Sequence, residues 1–112
     1  MAIDPKLEQE IELLHGRICY ALADPKRVLI LYVLSKGSQC VGEVVEALQV
    51  PQSTVSRHLR VLRERGLVQT ERQGTAVYYT LADRRVIEAL DLLRGILATQ
   101  LTASADLAES LR

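Results

Sequence analysis

The chain has 112 residues, 48% of them hydrophobic, with no Phe and no Trp. That length supports one domain with a modest core of Leu, Ile, Val and Ala, and it excludes two domains. Formal net charge is zero, which excludes a uniform cationic coat as the source of any affinity for polyanions. No apolar run approaches the roughly 18 residues that span a bilayer, and the N-terminus lacks the layout of a signal peptide. A cytoplasmic protein with no membrane partner is expected, its two cysteines reduced.

Asp4-Pro5 marks a helix start, a capping carboxylate followed by the ring that tolerates the first helical position. Ile3, Leu7, Ile11, Leu14, Ile18 and Leu22 then recur at three- and four-residue steps. Asp24-Pro25 repeats the device, so a first helix ends near Ala23 and a second follows, with Val28, Leu29, Leu31, Tyr32 and Leu34 apolar and Gly37 as its stop. Residues 38–40 read as an extended connector and 42–48 as a third helix with Val44, Val45 and Leu48 inward. Pro51 opens a fourth helix after a turn of a few residues, and Gly66 ends it. Two short helices so tightly joined, the second more basic, make a helix-turn-helix pattern.

Leu67 to Arg72 and Ala76 to Leu81 are β-prone around Gln73-Gly74, a hairpin of the wing type. Asp83 caps a last helix striped by Val86, Leu90, Leu93, Leu97 and Leu101. The predicted fold is mainly α with a small β-hairpin wing. It is a winged helix-turn-helix of order helix-helix-helix-helix-strand-strand-helix over residues 1–102, followed by a flexible tail at 103–112, either frayed helix or disorder. The first and last helices each carry a full apolar stripe, more than one small core needs. Such stripes find a partner chain, which predicts a homodimer; packing of the two on each other within one subunit is the alternative.

Residues 51–65 carry the most chemistry. At about 100° per residue, Val55, Leu59 and Leu62 form one apolar stripe. Ser53, Arg57 and Arg60 project oppositely, flanked by Thr54 and Ser56. A helix that reads a major groove needs this arrangement, its N-terminal residues at base edges and its arginines on guanine or phosphate. Between Pro51 and Thr75 five arginines (57, 60, 63, 65, 72) face only Glu64 and Glu71, a local balance of +3 against −3 over the rest of the chain. A basic segment on an acidic body suits a protein that docks one face on DNA. Arg63, Glu64 and Arg65 read as a solvated helix end. His58 fits either a DNA contact or a packed, hydrogen-bonded position.

These residues resemble a known family. Ala21-Leu22-Ala23-Asp24-Pro25-Lys26-Arg27, Val41-Gly42-Glu43-Val44, Ser53 through Leu62, Gly66-Leu67-Val68, Arg72-Gln73-Gly74 and Val77 through Leu81 occur in an order similar to the ArsR/SmtB-type bacterial winged-helix repressors, over about residues 7–100. The resemblance implies a dimer through the first and last helices that represses transcription and leaves its operator when an inducer is sensed. It also implies DNA contacts from Gln52, Ser53, Thr54, Ser56, Arg57 and His58 of the recognition helix, and from Arg72, Gln73 and Thr75 of the wing. Arg60 joins them on its own chemistry. The operator is expected to be an inverted repeat in double-stranded DNA, its half-sites about 34–36 Å apart.

The sensor departs from the family. Relatives with a zinc or nickel site carry His and acidic ligands on the last helix, whereas residues 83–101 hold neither His nor Cys. Relatives with a thiolate site show Cys-Val-Cys, where this chain has Cys40-Val41-Gly42. Cys19, Cys40 and His15 remain. The helix of about 12 residues between the cysteines spans about 18 Å, and a disulfide needs Cα atoms within roughly 7 Å. The thiols are therefore not expected to meet within one subunit; a dimer leaves their meeting open, since the first helix belongs to the expected interface. One hypothesis is an inducer such as arsenite or another thiophilic metal ion held by Cys19, Cys40 and His15. The other is thiol oxidation or persulfidation; inert, buried thiols are the third reading. No enzyme is expected, since Ser56 and His58 point about 160° apart on their helix and no phosphate loop is present. A winged-helix module that binds proteins instead of DNA is the alternative from another class.

Overall fold

The computed structural model describes residues Met1–Leu111. Asp4 accepts a hydrogen bond from the Lys6 N–H (3.0 Å) and starts α1 (Pro5–Leu14). This helix widens into a π-helical turn, His15–Cys19, and continues as the short α2 (Tyr20–Leu22). Asp24 repeats the cap on the Lys26 N–H (2.8 Å) and starts α3 (Pro25–Leu34). Next come β1 (Gln39–Cys40), α4 (Val41–Leu48) and α5 (Gln52–Glu64). Gln49 adopts a left-handed conformation (φ 57°), which turns the chain sharply between α4 and α5. β2 (Val68–Gln73) and β3 (Ala76–Leu81) form the hairpin, turned at Gly74 with φ 63°, where glycine meets no Cβ penalty.

The sheet has three strands in the order β1-β3-β2, all antiparallel, with Thr70 opposite Tyr79 and Tyr79 opposite Gln39. The connector predicted as merely extended thus becomes the third strand and ties the wing's base to the start of α4. Asp83 accepts from the Arg85 N–H (2.9 Å) at the start of α6 (Arg85–Ser110). Hydrogen bonds from the Arg85 side chain, and then from its backbone N–H, hold the Asp83 carboxyl down at about 2. In the stretch expected as a tail at 103–112, α6 continues through Ser110, the helical of its two readings, and residue 112 lies outside the described residues. Helix formers fill that stretch, with no Gly or Pro to stop it.

The core is aliphatic, as the composition predicts. Ile30 and Leu31 of α3, Val44 of α4, and Val55, Leu59 and Leu62 of α5 are fully buried; Ala21, Leu34, Leu67, Val68, Ile87 and Leu90 complete the cluster. Outside it the chain is extended. Its radius of gyration is 17.8 Å, whereas a compact domain of this length has one of about 13 Å. Every residue of α1 is exposed, including Leu7, Ile11 and Leu14; so are Leu92, Leu93, Ile96, Leu97 and Leu101 of α6. Packing of these two stripes on each other within one subunit is therefore ruled out. Leu29 of α3 is also exposed; with Leu22, Pro25, Val28 and Tyr32 it lines an apolar depression of about 620 Å³ beside Arg94.

Candidate nucleic-acid interface

α5 divides sharply between its two faces. The stripe Val55, Leu59 and Leu62 is fully buried, while Gln52, Ser53, Ser56, Arg57 and Arg60 are exposed and Thr54 is half-buried at the edge. Because the buried face is held by α3 and α4 from inside, the outer face is presented as a rigid row. The wing tip adds Arg72, Gln73 and Thr75, all exposed. Between helix and wing lies a shallow depression lined by Ser56, Arg60, Arg63, Glu64 and Tyr79. The exposed predicted residues thus fall into two groups, the helix row and the wing tip, with the depression between them.

His58 is a correction. It is 4% exposed and does not belong to this outer face. Three residues after Val55 and four before Leu62, it falls beside the buried stripe. Arg27, also buried, approaches its Nδ1 with Nη1 at 3.5 Å, and Asp24 Oδ2 lies 3.9 Å from its Nε2. A guanidinium only donates, so Nδ1 accepts and the ring proton sits on Nε2, toward Asp24. Burial holds His58 below the ordinary imidazole range; Arg27, Arg57 and Lys26 add to this, and Asp24 opposes it.

Two arginines outside the predicted set organise the helix. Arg27 Nε donates to the Ala21 carbonyl (2.7 Å) and Nη2 to the Tyr20 carbonyl (2.9 Å), closing the C-terminus of α2. A signal for it existed: a cation in the first turn of a helix opposes the dipole and needs another reason to be there. Arg65 was expected in solvent with Arg63 and Glu64, which are indeed exposed. Instead its Nη1 donates to the Gly16 carbonyl (2.7 Å), and its guanidinium lies 4.5 Å from the Tyr20 ring centroid.

The sensor candidates lie on two elements. His15 and Cys19 are exposed on the π-helical turn. Cys40 is half-buried at the start of α4, where its side chain and the Glu43 carboxylate form a reciprocal cap, the latter accepting from the Cys40 N–H at 3.0 Å. That hydrogen bond is the main cause holding Glu43 below the usual carboxylate range. Both thiols are free. Among the described residues no three His, Cys, Asp or Glu side chains of one chain gather as a metal site. No helix among them is long and apolar enough to cross a membrane.

Comparison with known proteins agrees with this geometry. Residues 24–70 match the family model described as bacterial regulatory protein, arsR family. The chain is 45% identical over 71 residues to the HTH-type transcriptional repressor SmtB of Mycobacterium tuberculosis, covering 63% of this chain and 53% of that protein. It therefore spans about half the length of that relative. The crystal structure of NolR from Sinorhizobium fredii is similar with a TM-score of 0.76 and 34% identity, covering 86% of this chain and 95% of that one. The solution structure of the homodimeric winged helix-turn-helix DNA-binding domain Mb0332 from Mycobacterium bovis has a TM-score of 0.72 at 26% identity, covering 88% and 90%. The chain belongs to the arsR family of bacterial regulatory proteins and has its winged helix-turn-helix fold.

Proposed function

We propose that this protein is a homodimeric repressor of transcription that binds an inverted-repeat operator through α5 and the wing, and releases it when an inducer is sensed. The observation that carries the proposal is α5 itself: one face fully buried in its own chain, the other an exposed row of Gln52, Ser53, Ser56, Arg57 and Arg60. The dimer rests on the exposed stripes of α1 and α6, which a second copy covers, and on the extended shape of the single chain. Two copies place two recognition helices on one side of a duplex, which a single small domain needs for tight binding. In this proposal the protein works in the cytoplasm.

For the inducer we infer a soft thiophile, such as trivalent arsenic, bound by Cys19 of one subunit and Cys40 of the other, with His15 as a third ligand. That no three such side chains gather within one chain among the described residues favours a site completed across the dimer. The exposure of Cys19 also favours a second reading, sensing by thiol oxidation or persulfidation. Arsenite titration with operator release as the readout separates the two: release by arsenite, lost in Cys19→Ser, supports the first, and release only by oxidant or persulfide supports the second.

Fluorescence anisotropy on duplex DNA over a salt series tests the function. A steep negative dependence of affinity on salt is expected; a protein-binding module gives no such slope. Arg57→Ala is expected to cost about 1–3 kcal/mol and to relax base preference. Arg72→Ala should weaken all duplexes evenly and lower the salt slope by about one. Equal losses on operator and random DNA for Arg57→Ala would remove it from base reading.

A further inference from the structure

We propose that Arg65 is a positioning residue that fixes the angle between the DNA-reading body and the dimerisation helix, and so sets the half-site spacing the dimer accepts. The inference rests on the DNA-binding function proposed above and adds to it the determinant of operator geometry. All of α1 is exposed, so within one subunit this helix is held at its C-terminal end. Ala21 is buried there, Ile18 and Leu22 pack on the core, and two arginines from other elements grip what remains.

The grip is specific. Arg27 comes from α3 and donates to the carbonyls of Ala21 and Tyr20. Arg65 comes from the end of α5 and donates to the carbonyl of Gly16, inside the widened turn His15–Cys19. The Tyr20 ring is shared by the two guanidinium groups, at 5.5 Å from Arg27 and 4.5 Å from Arg65. A planar guanidinium suits this double task, because it donates in its plane while its face covers an aromatic ring. The π-helical turn is a local departure from the regular helix ladder, a feature found at functional positions. Arg65 therefore ties the recognition helix to the one irregular point of the dimerisation helix.

Leverage makes the tie consequential. The 13 residues of α5 span about 20 Å at 1.5 Å per residue. A change of about 10° at the Arg65 end displaces the other end by about 3.5 Å, close to the 3.4 Å step between bases. In a two-fold dimer the displacement occurs in both half-sites. The contact thus governs which separation of half-sites fits, while base preference within a half-site stays with the outer face of α5.

The test begins with the wild-type protein selecting its duplex from a random-sequence library. The recovered operator is rebuilt with one or two base pairs added to or removed from its centre, and each duplex is titrated by fluorescence anisotropy. Wild type is expected to lose at least about 10-fold in affinity when the spacing is changed. Arg65→Ala is expected to bind the native spacing about 10-fold more weakly and to vary less than about 3-fold across the series, with an unchanged salt slope. Tyr20→Leu should flatten the profile in the same way and add little in the double variant. Tyr20→Phe, which keeps the ring, should retain the wild-type profile. Arg65→Lys keeps the charge but not the planar contact and should also flatten it; with Tyr20→Leu it carries the test if Arg65→Ala does not fold. A steep, wild-type-like spacing profile in the folded Arg65 and Tyr20→Leu variants overturns the inference. So does full affinity in Arg65→Lys with a salt slope lowered by about one in Arg65→Ala, which marks a phosphate contact. Failure of the wild type to enrich any duplex overturns the DNA-binding function and this inference together.

Discussion

α5 and α6 show one kind of sequence pattern with two outcomes. Both helices carry Leu and other aliphatic residues at three- and four-residue steps. In α5 the stripe Val55, Leu59 and Leu62 is fully buried against α3 and α4. In α6 only Ile87 and Leu90 are buried, and the stripe continues exposed through Leu93, Leu97 and Leu101. A buried stripe turns its opposite face into a rigid display, and here that face holds the arginines. An exposed stripe is a surface awaiting another chain. The lesson is that amphipathic periodicity identifies a face to be covered but does not say by what.

The comparison can be broken at either end. The largest effect is expected in α6. Leu97→Glu places a charge in the proposed dimer surface twice, forfeiting about 1.5–3 kcal/mol of side-chain burial per copy, so association should weaken roughly 100-fold or more. Sedimentation should then show monomers whose far-UV circular dichroism keeps its helical signal. A dimer that survives the substitution would place the interface elsewhere. In α5, Leu59→Ala should act within the single chain, lowering unfolding stability by about 2–5 kcal/mol. Urea unfolding checks this, and a loss well under 1 kcal/mol would show that the stripe is not the packed element it is described as.

The smallest effect sharpens the polar side of the α3–α5 contact. His58 titrates below its ordinary range because it is buried near Arg27. The folded state therefore binds a proton less readily than the unfolded chain, where the imidazole titrates near 6.5. Its contribution is fully present above pH 6.5 and is lost as the pH falls through that value toward the depressed folded one. Thermal unfolding at pH 7.5 and pH 5.5 should show a larger drop for wild type than for His58→Gln. An equal drop in both would mean that His58 does not supply this dependence. Asp24, Glu43 and Asp83 do not mimic it, since their carboxyls are held below their ordinary values and titrate in a lower range.

Much of this molecule is legible in its residues one element at a time. Asp4-Pro5 and Asp24-Pro25 mark two helix starts, and the structure shows both carboxylates capping. Gly66 and Gly74 stand where φ is positive, at the end of α5 and at the wing's turn. The stripe of α5 and its arginine-bearing opposite face follow from a period of 3.6 residues. His58 resisted because its position on the wheel borders both faces, and only Arg27 and Asp24, brought from α3, decide for the interior. Arg65 resisted for a similar reason: its partners Gly16 and Tyr20 lie more than forty residues away along the chain.

Local patterns set where the helices begin, where Gly66 ends α5, which residues share a face, and that the charge gathers between Pro51 and Thr75. These depend on backbone geometry and neighbours a few residues apart. Tertiary structure alone decided which apolar stripes are covered within one chain, and where the long side chains of Arg27 and Arg65 come to rest. A stripe is covered only if another element has a matching surface to spare. A guanidinium finds its carbonyl only once two distant helices have packed, and no local spacing encodes that distance.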